Sequence, residues 1–358
     1  MTYLIGSEVL FPEHHYSQDE LLDALIELWG DELFNPERLR YFFRNVKVGG
    51  RHLALPKEHY CTVRDFASRN LIFREVALEL LERLVPPLLK KAELTYSDPN
   101  YLVSTTVTGL AVPTLEARLM NRLPFAPTVK RVPLFGLGCL AGAAGVARLH
   151  DLLKGSDETG LLLAVELCSL TLQTKDVSIA NLISTGLFGD GSGGVAMAGE
   201  RTLKARAAVE AGRGCKVVDT RSNFFADSES VMGWEFDSDG FQIVLDSRVP
   251  HFASGPVVTG LRNFLSDHGL LPEDISHWLA HPGGPKVMDA LEQGLGCPRA
   301  LERSRQSLSE VGNLSSVSVL AILDEVLSSG LPKAGDWGVL MAMGPAFCAE
   351  YILLKWEV

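Results

Sequence analysis

The longest apolar run in the chain, residues 161–172, is cut once, by Glu166. It falls short of the roughly 18 apolar residues that argue for a membrane span and reads instead as a buried strand. Strand-like and helix-like segments alternate around it. Residues 19–29 carry Leu21, Leu22, Leu25 and Ile26 at helical spacing. Residues 64–89 read as a long helix that ends near Pro86-Pro87, 101–106 as a short buried strand and 113–123 as a helix. A strand at 131–135, a turn at 136–138 and an Ala-rich helix at 139–153 follow. After the apolar run come a helix at 177–187, a glycine turn and a strand at 195–198. Beyond about Leu203 the sequence becomes more polar and β-like as far as Leu245. Helices are expected at 257–268, 284–293 and 314–329, and strands at 275–279, 339–343 and 346–355. Alternation in both halves argues for an α/β layered fold.

At 358 residues the chain is long enough for two domains or two halves of one. Its 46% hydrophobic content, with Gly and Pro scattered, fits a globular protein with a large core. The net charge of −11 offers no basic footprint, so no nucleic-acid partner is expected. Residues 1–6 lack a basic segment, and Glu8, Glu13, His14 and His15 follow. That is unlike a secretory signal, so a cytoplasmic location is expected. Six cysteines are spread singly, without a Cys-x-x-Cys pair, so neither a zinc site nor a disulfide framework is expected.

One cysteine stands out, in Gly136-Leu137-Gly138-Cys139-Leu140-Ala141-Gly142. A strand runs into a tight turn, and a helix opens at Cys139. Helix N-termini present unpaired N–H groups and partial positive charge, which favour the nucleophilic thiolate. Two plainer readings compete. Most single cysteines only pack. Gly136-x-Gly138-x-x-Ala141 also matches a dinucleotide turn, although the acid expected about 20 residues on falls at Asp157 or Glu158, in a loop. From this segment alone, nucleophile, cofactor turn and packing all stay open.

Three further motifs bear on the choice. Gly189-Asp190-Gly191-Ser192-Gly193-Gly194 repeats the Gly-x-Gly-x-x-Gly spacing, but between a helix and a strand; it reads as a turn or a close backbone approach. His281-Pro282-Gly283-Gly284-Pro285-Lys286 follows an apolar strand end, so proline and glycine leave the His281 imidazole at a strand tip. Gly312-Asn313-Leu314-Ser315-Ser316 precedes an apolar helix, where Asn313 could be a plain N-cap. Cys139, His281 and Asn313 thus each sit at the end of an expected element. A histidine and an asparagine N–H can jointly donate to a developing oxyanion. That set suits thioester exchange and decarboxylative condensation. Cysteine proteases share it, but their Cys-Gly-[Ser/Ala]-Cys-[Trp/Tyr] context is absent around Cys139.

At this point the sequence resembles the type III polyketide synthases, the chalcone and stilbene synthase-like family. The matching stretches are Gly138-Cys139-x-Ala141-Gly142, Leu187-Phe188-Gly189-Asp190-Gly191, His281-Pro282-Gly283-Gly284-Pro285 and Gly312-Asn313-Leu314-Ser315-Ser316, in family order. The resemblance implies a thiolase-like fold of layered α-β-α-β-α type and a homodimer. Its two similar halves would be 1–203, carrying the nucleophile, and 204–358, carrying the histidine and asparagine. Cys139 would accept a starter acyl group from CoA. His281 and Asn313 would stabilise the thioester carbonyl and the enolate formed when malonyl-CoA loses carbon dioxide. Phe188 would be the gatekeeping wall between CoA tunnel and cavity. Thr106, Cys168, Thr171, Ile243 and Ser315 would line the cavity, and Val112 would be the cross-dimer position. Arg38 and Lys286, with Gly283 and Gly284, would meet CoA, with Arg44 and Lys47 as further candidates. Acyl-CoA starter and malonyl-CoA are the implied substrates, and no metal or redox cofactor is implied.

The sequence also departs from the family pattern. Ala342-Met343-Gly344-Pro345-Ala346 stands where the family has Gly-Phe-Gly-Pro-Gly, and the first 100 residues match loosely. Ile243 stands where plant enzymes tend to have an aromatic residue, which implies a roomier cavity and an alkyl starter leading to an alkylpyrone or alkylresorcinol. Tetrahydroxynaphthalene-forming relatives usually carry an extra cysteine in the strand that is Ser104-Thr105-Thr106 here, which argues against that product. The alternatives are a ketoacyl-ACP synthase III-like enzyme that condenses once, or a non-catalytic acyl-binding protein of the same fold.

Overall fold

The computed structural model describes residues 1–30, 33, 35–63 and 65–357. In it the apolar run forms the strand Thr159–Leu167, every residue of which is buried. Its side chains alternate between two cores. Leu161, Leu163 and Val165 enter one, and Leu162 and Ala164 enter another. A strand that is apolar on both faces must be covered on both. The same division recurs near the C-terminus. Leu340 and Ala342 share the core of Leu162, while Val339 and Met341 enter a third.

Three cores fill the four interfaces of five layers, the middle one reaching both sides of the central helices. The helix Phe66–Lys91 covers one outer face through Phe73, Leu81 and Leu84. Ala141–Leu153 and Ser318–Ser328 fill the middle through Ala143, Ala147, Leu320 and Leu323. Val258–Asp267 and Pro285–Leu295 cover the other outer face through Leu261, Phe264, Met288 and Leu291. The result is the expected α-β-α-β-α layering.

The strands are hydrogen-bonded in the order Ile275–Ala280, Trp337–Gly344, Cys348–Trp356, Cys215–Phe224, Thr2–Leu10, Asp190–Gly199, Thr159–Leu167, Pro99–Thr105, Lys130–Leu134. Among the described residues, the first four and last five strands pair only where Thr2, Tyr3 and Leu4 meet Val217, Lys216 and Cys215. Among the described residues, no helix is long and apolar enough to cross a membrane, and no cluster of side chains is arranged to hold a metal ion.

Several local expectations change. The long helix passes through Pro86-Pro87 to Lys91, where buried Val85, Leu88 and Leu89 hold it; its expected first residue, Arg64, lies outside the described residues. The apolar strand stops at Leu167, and Cys168–Thr171 is a short 3-10 turn. The expected helix at 113–123 shrinks to Leu115–Leu119, and a helix, Leu203–Glu210, opens the segment read as β-like. The expected glycine turn is instead the start of the fully buried strand Asp190–Gly199. Its glycines answer a close approach: a Cβ on Gly194 would lie 2.7 Å from Leu88 Cδ2, and one on Gly193 3.2 Å from Leu320 Cβ.

Candidate active site

The strand Lys130–Leu134 leads into a turn that only glycine suits, with φ +85° at Gly136 and +53° at Gly138. A Cβ on Gly138 would also lie 2.7 Å from Pro345 Cδ. A 3-10 turn, Gly138–Leu140, carries Cys139 before the helix Ala141–Leu153 begins. A Cβ on Gly142 would lie 2.1 Å from the Ser316 carbonyl, so glycine lets the Cys139 helix touch the loop that bears Asn313. Pro345 thus fills the space over Gly138 that a dinucleotide pyrophosphate would need, which removes the cofactor-turn reading. Cys139 Sγ donates to Ser315 Oγ at 3.6 Å, and Ser315 holds a left-handed φ of +51°.

His281 ends the strand Ile275–Ala280, its N–H donating to the Met341 carbonyl at 2.9 Å. Its imidazole is buried and Nδ1 meets no partner. Asn313 is fixed from both sides. Its N–H donates to the Leu187 carbonyl and its carbonyl accepts from Gly189 N–H, both at 2.9 Å, so it forms a bridge to Phe188. Its side-chain Oδ1 accepts from Ser315 N at 2.8 Å and Ser318 Oγ at 3.4 Å. The capping reading therefore holds in part, and it does useful work: with Oδ1 tied, Nδ2 faces His281 Nε2 at 3.5 Å. The pair can donate two N–H groups to one oxygen.

Electrostatics revise the expected thiolate. Burial pushes the Cys139 thiol up to about 12, with the Glu166 charge adding to it, and burial draws His281 down to about 4. The resting pair is neutral. Glu166 was visible in the sequence only as a break in an apolar run. It is fully buried, and burial raises its pKa. One carboxylate oxygen accepts from Val107 N at 3.0 Å and Thr108 Oγ1 at 2.8 Å, the other from Ser316 Oγ at 2.5 Å. It ties the Thr106–Thr108 segment to the Asn313 loop.

A cavity of about 570 Å³ opens beside this site. Cys168, Thr171 and Ile243 line it, and so does Phe188. Thr106 and Ser315 do not: Thr106 Oγ1 donates to Glu166 at 3.3 Å, and Ser315 accepts from Cys139. Cys139, His281 and Asn313 lie outside the cavity's lining, and Asn313 bridges to Phe188, which is part of it. Residues not singled out from the sequence complete the wall, among them Leu21, Leu25, Arg51, Tyr60 and Trp234. Arg38, Arg44, Lys47 and Lys286 are exposed on the surface, and Gly283 and Gly284 form the turn after His281.

Two family models account for most of the chain: chalcone and stilbene synthases, N-terminal domain, over residues 60–200, and chalcone and stilbene synthases, C-terminal domain, over residues 216–356. The chain is 45% identical over 357 residues to a 1,3,6,8-tetrahydroxynaphthalene synthase of Streptomyces peucetius subsp. caesius, covering 99% of this chain and 93% of that relative. It is 34% identical over 364 residues to a putative chalcone synthase of Bacillus subtilis strain 168, covering 100% and 99%. Its fold is similar to the crystal structure of the tetrahydroxynaphthalene synthase of Streptomyces coelicolor A3(2), a bacterial type III polyketide synthase, with a TM-score of 0.91 at 28% identity over 99% of each chain. Likeness that runs the length of both relatives makes this chain a member of the chalcone and stilbene synthase family of type III polyketide synthases.

Proposed function

We infer that Cys139 takes an acyl group from an acyl-CoA starter and that the chain extends it with malonyl-CoA by decarboxylative Claisen condensation. The carrying observation is the meeting of the Cys139 turn, the His281 strand tip and the Asn313 loop, with Asn313 Nδ2 held toward His281 Nε2. In this reading the Cys139 thiolate displaces CoA from the starter, and the thiol proton goes to His281 and then to the departing CoA thiolate. Malonyl-CoA then loses carbon dioxide, leaving an enolate whose oxygen accepts from His281 and Asn313. Apolar surroundings, Phe188 among them, favour loss of the carboxylate charge. The enolate carbon attacks the Cys139 thioester, the new C–C bond forms, and the cysteine sulfur leaves as thiolate. The β-ketoacyl chain, now on CoA, returns to Cys139 for the next round. CoA thioesters suffice as substrates and no cofactor enters.

The remaining assignments belong to the same proposal. The half 1–203 supplies the nucleophile and the half 204–358 supplies His281 and Asn313. Arg38 and Lys286 meet CoA phosphates at the surface, with Gly283 and Gly284 allowing close approach. A homodimer is supported by the exposed apolar residues Leu110, Val112 and Phe135, of which Val112 is 94% exposed.

The starter we favour is an alkyl acyl-CoA, giving an alkylpyrone or alkylresorcinol, because Leu21, Leu25, Leu28, Leu172 and Ile243 give the cavity an apolar wall. The 45%-identical relative's name favours a second reading, in which malonyl-CoA alone primes an aromatic product. Incubation of the purified protein with a panel of acyl-CoA starters and labelled malonyl-CoA decides between them. Labelled pyrones or resorcinols from long-chain starters are expected. A product formed from malonyl-CoA alone would favour the second reading, and folded protein that labels no polyketide would overturn both.

A further inference from the structure

Arg51 lines the cavity but takes no step in the scheme above, yet it is placed at considerable electrostatic cost. It lies in the strand Gly50–Leu53, is 3% exposed, and burial draws its guanidinium down to about 10. Its Nε meets no partner, while Nη1 donates to the Phe188 carbonyl at 2.7 Å. The charge that helps keep it ionised belongs to Asp190, two residues after Phe188. Asp190 is itself bound by Ala54 N at 2.6 Å and Ser169 N at 2.8 Å. A buried cation held for one backbone carbonyl marks that carbonyl's position as important.

The position is that of the gate. Leu187 and Gly189, on either side of Phe188, make the two hydrogen bonds that bridge to Asn313. The Arg51 side chain lies along this bridge: a Cβ on Gly189 would be 3.1 Å from Arg51 Cβ, and one on Gly312 3.5 Å from Arg51 Cδ. Its guanidinium carbon also stands 5.8 Å from the centre of the Phe43 ring, so the side chain is held on its far side as well. The bridge leaves the Phe188 carbonyl for Arg51 to hold.

We propose that Arg51 is a positioning residue, which clamps the Phe188 carbonyl and so fixes both the Phe188 wall and the Asn313 amide relative to Cys139. The proposal rests on the condensing-enzyme reading. Acyl loading on Cys139 also draws on the Asn313 amide and the cavity wall, so it slows as well. Condensation needs more, because the enolate must form within reach of the thioester, and misplacement by about 1 Å costs about 100-fold. Loss of Arg51 therefore separates decarboxylation from carbon–carbon bond formation.

The test compares wild type, Arg51→Met and Arg51→Lys. It measures starter adduct on Cys139, carbon dioxide released per C–C bond formed, and amide hydrogen exchange. In Arg51→Met, loading is expected to fall by less than condensation, which slows about 100-fold, with more carbon dioxide released per bond. Faster exchange is expected in the Leu187–Gly189 and Asn313 segments only. Arg51→Lys, which keeps a charged donor, is expected to recover most of the coupling. Unchanged coupling in Arg51→Met, or a uniform fall in all three activities with exchange raised throughout the fold, would overturn the role of Arg51. A wild-type chain that forms no C–C bond would instead overturn the reading on which it rests.

Discussion

His281 shows how burial alone sets the chemistry of a residue. Its imidazole titrates near 4 in the fold against about 6.5 when unfolded, so the unfolded chain binds more protons between those values. The stability this neutral histidine contributes is full above about pH 6.5 and is lost as pH falls through about 4. Asp190 acts with the opposite sign. Burial raises it to about 6, so its contribution is full below about 3.8 and is lost as pH rises through about 6. Asp190 is common to wild type and His281→Gln, so the comparison isolates the histidine. Urea unfolding at pH 7.5 and 4.5 is expected to show wild type losing about 2–3 kcal/mol more than His281→Gln between the two. Equal losses would mean that His281 is not buried neutral. Cys139, His281 and Asn313 were legible in the sequence because turn residues beside them reveal where a side chain must project. Arg51, Asp190 and Glu166 were not, because their partners, such as the Phe188 carbonyl and Ser316 Oγ, come from distant segments.

Elements were legible where one periodicity ruled and were misread where tertiary contact did. The strand Asp190–Gly199 opens with glycines that look like a turn, and it is a strand because leucines from Phe66–Lys91 and Ser318–Ser328 press on both faces. The N-terminal strand Thr2–Leu10 was missed, although it lies at the centre of the sheet between Cys215–Phe224 and Asp190–Gly199. The turn between Trp337–Gly344 and Cys348–Trp356 departs from its family in a measurable way. Ala346 holds a φ of +57° where the family has glycine. A side chain in that region costs roughly 1–2 kcal/mol, part of which glycine returns through its freer unfolded state. Ala346→Gly is expected to raise stability by about 1 kcal/mol in urea unfolding, and a fall would place some other constraint on this turn.

For the whole molecule, the layering brings the site together. The middle layer carries the Cys139 helix and the helix after Asn313 side by side, and Gly142 against the Ser316 carbonyl sets their closeness. The alternation of strands and helices made a layered α/β fold readable and the family resemblance supplied the five layers, while the pairing of Thr2–Leu4 with Cys215–Val217 depends on contacts no local pattern encodes. This meeting point is proposed to carry an acyl group on one particular sulfur. Intact-protein mass spectrometry after incubation with an acyl-CoA starter tests it most directly. One starter-mass adduct per chain is expected, located on Cys139 by peptide mapping and absent from Cys139→Ala. An adduct that persists on Cys139→Ala would contradict it.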